Sequence, residues 1–408
     1  MRVLLYSINY EPEVVGIGKF NGEMARWLAA KGHQVRVVTA YPYYPQWRII
    51  GNYLPWWYRR EDLDGVRVYR SPLWVPRRPA AVSRVVHLVS FALSSAPIAL
   101  WQSVRFQPDL VFVLEPPLVC APVARLAAWL ARSKSWLHVQ DLEVDAAFDL
   151  GLLRGRWIRR VAACVERWLL RTFDRVSTIS DRMRTRLVTK GVTESQCLVF
   201  PNWVDTRTIR PLGEPSVLRS MIGIPPDATV ALYAGTMGHK QGLNILIDAA
   251  RRLSGTPIRF VLAGGGPARD GLVEAARELS NVTFIPIQPL GALNDLLNLG
   301  DIHLLPQLAD AADLVMPSKL GGMLASGRPV IATVHPGTQI AQMIEGCGLV
   351  VPPGDSVALA SGIQWLHEHS GERRRLGSEA RSRAEALWQR DATLAALENS
   401  FHACMSEE

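Results

Sequence analysis

Two glycine-rich loops stand out among the chemistry-bearing residues of this 408-residue chain. In the first, the apolar run Arg2-Val3-Leu4-Leu5-Tyr6 leads to Gly16-Ile17-Gly18-Lys19 and a helix from about Asn21. In the second, Val230-Ala231-Leu232-Tyr233-Ala234 leads through Gly235-Thr236-Met237-Gly238-His239-Lys240-Gln241-Gly242 into an amphipathic stretch from Leu243 to Leu253. Backbone free of side chains at a helix start lets peptide N–H groups approach an anion, and the positive end of the helix favours it. Two such devices imply two nucleotide-fold halves that face one cleft. Gly264-Gly265-Gly266 follows a further strand-like run and fits either a nucleotide cradle or a tight strand-to-helix turn.

Titratable residues fall at similar places. His138 follows the run Ser135-Trp136-Leu137, where an α/β sheet presents residues to a crevice, and Asp141 lies three positions on, able to orient it or to bind an acceptor. Glu11 and Glu13 sit in the first loop; they could act on an acceptor hydroxyl within hydrogen-bond reach, or cap the helix near Gly16.

The elements that must position these residues alternate between strand and helix throughout, the pattern of parallel α/β sheets. Strands are expected at Val3–Ile8, Gln34–Thr39, Val66–Arg70, Leu110–Leu114, Ser135–Val139, Arg175–Ile179 and Cys197–Phe200. In the second half they are expected at Val230–Ala234, Ile258–Ala263, Val282–Ile285, Ile302–Leu305, Val330–Ala332 and Leu349–Val351. The length and a 48% hydrophobic content allow two sizeable cores. Pro201-Asn202-Trp203-Val204-Asp205 is the best linker. It separates residues 1–204 from 205–384, with a C-terminal helix, about 385–408, expected to return to the first domain.

Charge divides unevenly. Residues 1–204 carry 28 Lys+Arg against 16 Asp+Glu, a net +12, whereas 205–408 carry 17 against 21, a net −4, together the +8 of the whole chain. The first half therefore suits an anionic partner. No nucleic-acid-binding motif is evident, so nucleic acid is not expected. An anionic membrane surface fits better, because Trp47, Tyr53, Trp56, Trp57 and Tyr58 run into Arg59-Arg60. From Leu152 to Phe173, Trp157, Ile158, Val161, Val165, Trp168 and Leu169 recur at helical spacing beside Arg154, Arg156, Arg159, Arg160, Arg167 and Arg171. Val85–Val104 is apolar but interrupted by Pro97. Core-facing helices with solvated arginines are the competing reading of both segments. Five scattered cysteines without a CxxC pair indicate neither a disulfide framework nor a zinc site, and His367 and His369, two apart on a helix, face different sides. No metal is expected. The N-terminus lacks the layout of a signal peptide, so a cytoplasmic protein, peripherally attached to the inner face of the cell membrane, is expected.

The chain resembles the retaining GT-B-fold glycosyltransferases of family four, and within them the enzymes of colanic-acid-type exopolysaccharide assembly. The residues that carry the resemblance are Ile8-Asn9-Tyr10-Glu11-Pro12-Glu13 with Gly16-Ile17-Gly18-Lys19, Tyr43-Tyr44-Pro45-Gln46-Trp47, and His138-Val139-Gln140-Asp141. Gly238-His239-Lys240-Gln241-Gly242-Leu243 and Met316-Pro317-Ser318-Lys319-Leu320 complete them. Broader family marks are Pro201–Asp205, Gly264-Gly265-Gly266-Pro267 and Val351-Pro352-Pro353-Gly354-Asp355.

The resemblance implies two Rossmann-like domains facing a central cleft. It also implies transfer of a sugar from a nucleoside diphosphate sugar, UDP- or GDP-linked, with no cofactor or metal; the donor would sit in the second domain and the acceptor in the first. Developing diphosphate charge would be met by cations and helix N-termini. Lys240 is the first choice for that task, with Gly16, Gly18, Gly235, Gly238, Gly242, Gly264, Gly266, Ser318 and Lys319 around the donor. His138 matches the family's cleft histidine, and Asp141 and Glu13 fall on the acceptor side.

Departures from the family pattern matter. Gly235-Thr236 stands where many relatives have Gly-Arg, and Lys319 is the candidate replacement. The pair of glutamates seven residues apart is missing: their places fall at Leu314, beside Asp313, and at Gly322. Asp313 is the candidate contact to the donor sugar. The leading expectation is a membrane-associated transferase that extends a polyprenyl-linked glycan. A nucleotide-sugar epimerase or hydrolase on the same fold, or a non-catalytic nucleotide-sugar-binding member, are the alternatives.

Overall fold

The computed structural model describes every residue except 14–15, 52, 54–55, 78–80, 146–154, 239–240, 310–316 and 408. The chain forms two compact units, Met1–Pro201 with Thr393–Glu408, and Asn202–Ala392.

The first unit is built on an eight-stranded sheet. Its strands are β1 (Arg2–Tyr6), β2 (Gln34–Ala40), β3 (Arg59–Leu63), β4 (Val66–Ser71), β5 (Leu110–Glu115), β6 (Lys134–Val139), β7 (Arg175–Thr178) and β8 (Cys197–Val199), in spatial order β3-β4-β2-β1-β5-β6-β7-β8. All pairs are parallel except the β3–β4 hairpin at the edge. The central strands are continuous apolar runs because both sheet faces are covered: Leu110 to Glu115 is buried at every position. β3 is the strand that apolar pattern does not reveal, since Arg59-Arg60-Glu61-Asp62 is charged and half open to water.

The second unit has a six-stranded, wholly parallel sheet of β9 (Thr229–Ala234), β10 (Ile258–Ala263), β11 (Val282–Ile285), β12 (Ile302–Pro306), β13 (Val330–Thr333) and β14 (Gly348–Val351), ordered β11-β10-β9-β12-β13-β14. Helix Ser370–Trp388 belongs to this unit: Ala380, Ala384 and Trp388 pack with Leu320, Met323 and Leu324. Helix Arg390–Ser406 then carries the chain into the first unit, where Leu394, Leu397, Phe401 and Cys404 are buried and Phe401 meets Phe112 and Trp136 edge-on.

Among their parallel strands both sheets reverse strand order once, between β1 and β5 in the first unit and between β9 and β12 in the second. In open α/β sheets the crevice beyond the carboxyl ends of those strands is where ligands bind. The described loop residues there are 7–13 and 116–117 in one unit, and 235–238, 241–243, 307–309 and 317–318 in the other.

Candidate active site

In the second unit the loop after β9 is welded to the loop after β10 by backbone alone. The amides of Gly235 and Met237 donate to the carbonyls of Ala263 and Gly265 at 3.0 and 2.8 Å, and Ala268 N–H donates back to Met237 O at 2.9 Å. A Cβ on Gly264 would stand 2.0 Å from Gly235 O, and one on Gly266 2.5 Å from Met237 O. These glycines therefore hold the β9 loop in place through close backbone approach, the tight-turn reading left open by the sequence. With the Gly235 and Met237 amides consumed, those of Thr236 and Gly238 have no backbone acceptor among the described residues. Gly242, at φ +61° and with Leu308 against it, closes the loop. His239 and Lys240 lie outside the described residues, as does Asp313.

Lys319 opens helix Lys319–Ala325, directly after the exposed Ser318, and reaches the same place. Its Nζ lies 4.2 Å from the centre of the Tyr233 ring and 3.5 Å from where a Cβ on Gly235 would be. Tyr233 is fixed in turn by its hydroxyl, which donates to Thr236 O at 2.6 Å. No carboxylate pairs with Lys319 among the described residues. Burial of the amine lowers its pKa to about 7. His303 on β12 is buried, pushed down to about 3 by desolvation with the Arg328 and Lys319 charges adding, and its Nε2 meets Ser326 Oγ at 2.9 Å. The crevice thus holds an amine without a described acidic partner beside a neutral imidazole, and an arriving anion would draw a proton onto Lys319.

In the first unit the β1 loop is bolted by Glu13. Its Oε1 accepts the backbone N–H groups of Tyr43 and Tyr44, each at 3.0 Å, and its Oε2 accepts from Asn9 at 2.8 Å. Glu13 therefore neither caps the helix nor stands open to an acceptor: it is 3% exposed and joins loop 9–13 to loop 43–44. Burial raises its pKa against the pull of those donors. Gly18 is required beneath it, since a Cβ there would lie 2.8 Å from Glu13 Cβ, and Gly16 provides the positive φ of +64° at the start of helix Ile17–Ala30. Glu11 is held by an ion pair with Arg26.

His138 is turned into the core. Only 1% exposed, its ring stacks on Phe112 at 5.9 Å, and burial lowers its pKa to about 3. The neutral ring fits its partners: Nδ1 faces Ser177 Oγ at 2.8 Å, and Gln140 Nε2 donates to His138 Nε2 at 3.1 Å. His138 is expected to contact the donor sugar through its imidazole or its backbone; alternation along β6 sends the ring to the face that packs on Phe112 and Phe200, which leaves the backbone alternative. The residues that leave the strand at its carboxyl end are Gln140 and Asp141. The Asp141 charge is felt at both Tyr44 and Glu143.

The same end of this sheet gathers carboxyl groups that the sequence reading passed over. Glu115 ends β5 fully buried, and its Oε1 has no partner among the described residues. Glu143 accepts Leu118 N–H at 2.7 Å; burial, with the Asp141 and Glu166 charges adding, pushes its pKa up to about 7. Lys190 bridges Glu166 at 2.5 Å and Asp145 at 2.9 Å. A carboxyl group poised near neutrality at a sheet's carboxyl end is typical of functional sites.

Two α/β units built on parallel or mostly parallel sheets, each with loops gathered at a strand-order reversal, make up the GT-B architecture. The chain belongs to the glycosyltransferases: residues 15–203 match the glycosyl transferase 4-like domain and residues 228–369 the glycosyl transferases group 1 domain. It is 42% identical over 374 residues, 89% of this chain and 91% of the relative, to the putative colanic acid biosynthesis glycosyl transferase WcaI of Escherichia coli K12. Among solved structures it is similar in fold to sucrose-phosphate synthase from Thermosynechococcus elongatus, at a TM-score of 0.77 and 19% identity with full coverage of both chains. It is likewise similar to Anabaena HepE in complex with UDP-glucose, at a TM-score of 0.72 and 16% identity, covering 99% of this chain and 100% of that one.

Proposed function

We propose that this glycosyltransferase moves a hexosyl group from a UDP- or GDP-sugar to a polyprenyl-linked glycan during assembly of a colanic-acid-like exopolysaccharide, with retention and without metal or cofactor. The observation that carries the reading is the half-buried Lys319 amine beside the Gly235 loop, unpaired with any described carboxylate at the strand-order reversal of the second unit. Lys319 and Lys240 bind the diphosphate and stabilise the charge that develops on it as the anomeric bond breaks. Asp313 contacts the donor sugar, Ser318 and the Gly238 and Gly242 segment flank the phosphates, and Asp141 binds the acceptor.

The protein works at the cytoplasmic face of the membrane, attached peripherally. Helix Arg156–Arg171 supports this: Trp157 is 75% and Trp168 64% exposed, with Ile158, Val161 and Val165 also open, interleaved with Arg159, Arg160 and Arg167. Such a face suits anionic headgroups and the acyl boundary together. Helix Ala81–Phe106 is long and apolar enough to cross a membrane, but it is part of the first unit's fold, with Ser95 bonded to Tyr6 at 2.6 Å and Gln102 to Arg36 at 2.7 Å.

The test is nucleoside diphosphate release from UDP-, GDP- and dTDP-sugars over membranes that carry lipid-linked acceptor. Release from one donor class that requires acceptor, and is lost in Lys240→Ala with the fold intact, supports the reading. Acceptor-independent turnover points to an epimerase or hydrolase, and binding without turnover points to a non-catalytic member.

A further inference from the structure

Apart from the residues of the candidate site, His33, Glu398 and His402 converge. His33 directly precedes β2, and Glu398 and His402 sit one turn apart on helix Arg390–Ser406, so both project from the same helix face. His33 Nε2 and Glu398 Oε1 are 2.6 Å apart, the His33 and His402 rings are 5.9 Å apart, and one ligand atom from each residue lies within 4.8 Å of the other two. Among the described residues this is the single grouping of three such side chains.

We propose that His33, Glu398 and His402 form a binding site for a divalent transition metal, zinc foremost, that clamps the C-terminal helix to the first unit. Two imidazoles and a carboxylate are a zinc-type donor set, and bonds of about 2.0–2.2 Å place neighbouring ligand atoms roughly 3.3 Å apart in a tetrahedron. The exposed His402 ring closes that gap by a side-chain rotation, and its openness leaves the fourth position to water. The frame is already rigid: Phe401 is fully buried against Phe112 and Trp136, and Lys134 Nζ donates to Glu407 O at 2.6 Å. Without metal, His33 Nε2–H donates to Glu398 Oε1 at 2.6 Å. Metal takes the Nε2 lone pair, so the ring proton moves to Nδ1. The clamp is structural and independent of sugar transfer.

The full chain, purified without a polyhistidine tag and stripped with chelator, is titrated with zinc alone against a chromophoric competitor, and with cobalt for its visible d–d bands. The expected result is one equivalent per chain, a thermal midpoint raised by a few degrees at saturating zinc, and affinity lowered at least about tenfold in both His402→Gln and His33→Asn. Because His402 is exposed, its variant keeps the test valid even where the His33 variant fails to fold. Zinc uptake equal in wild type and His402→Gln, or no uptake by wild type, overturns the proposal.

Discussion

The Lys319 ammonium faces the Tyr233 ring at 4.2 Å, and that ring is itself pinned to the Gly235 loop through Thr236. Cation–π attraction accounts for how a lysine can be enclosed here without a described acidic partner, and burial still brings its pKa down to about 7. An incoming diphosphate restores the charge.

Donor affinity should therefore depend on pH in a defined sense. Between about 7 and 10.5 the unfolded chain holds this proton and the ligand-free fold does not, so stability gained above 10.5 is lost as pH falls through 7. Diphosphate binding runs the opposite way: it draws the proton on, and the dissociation constant for UDP or GDP should rise between pH 7 and 9, by at most about tenfold per unit. Calorimetric titration across that range checks this, and a flat profile contradicts it.

Glu143 gives a second pH signature. Its folded pKa is raised to about 7, so the stability tied to its protonated form is complete below about 4.5 and lost as pH rises through 7. Glu143→Gln, which keeps an acceptor for Leu118 N–H, should melt near wild type at pH 5 and a few degrees above it at pH 8. An identical difference at both pH values would remove Glu143 from this account.

How much of this was readable beforehand depends on the physical scale of each feature. Thirteen of the fourteen strands show as apolar runs, because a doubly covered parallel sheet must bury both faces. Edge strand β3 does not, since its Arg-Arg-Glu-Asp sequence satisfies water on one side. Local motifs located the glycine loops and Lys319, but the face on which His138 lands depends on register within the sheet. Glu115 with Glu143, and His33 with Glu398 across 365 positions, come together only through tertiary folding and leave no local spacing to find.

Gly264→Ala should destabilise the second unit by about 2 kcal/mol or more. The added Cβ meets Gly235 O at 2.0 Å, and φ at that position is +142°. Chemical denaturation reads the loss, and a variant as stable as wild type would refute the packing role.

Replacing Trp157 and Trp168 together with serine should release the protein from anionic vesicles. Each exposed ring that enters the acyl boundary contributes roughly 2 kcal/mol, so partitioning should drop by at least about tenfold while soluble activity persists. Unchanged cosedimentation would place the membrane contact elsewhere.

Whether the lysine crevice of the second unit holds the donor diphosphate is decided by UDP and GDP affinity in Lys319→Met. Removing an enclosed amine should leave the thermal midpoint unchanged or higher, which separates binding from folding. Affinity should weaken by about ten- to a hundredfold, the loss of one charge-assisted contact. Wild-type affinity in a folded Lys319→Met protein would contradict it.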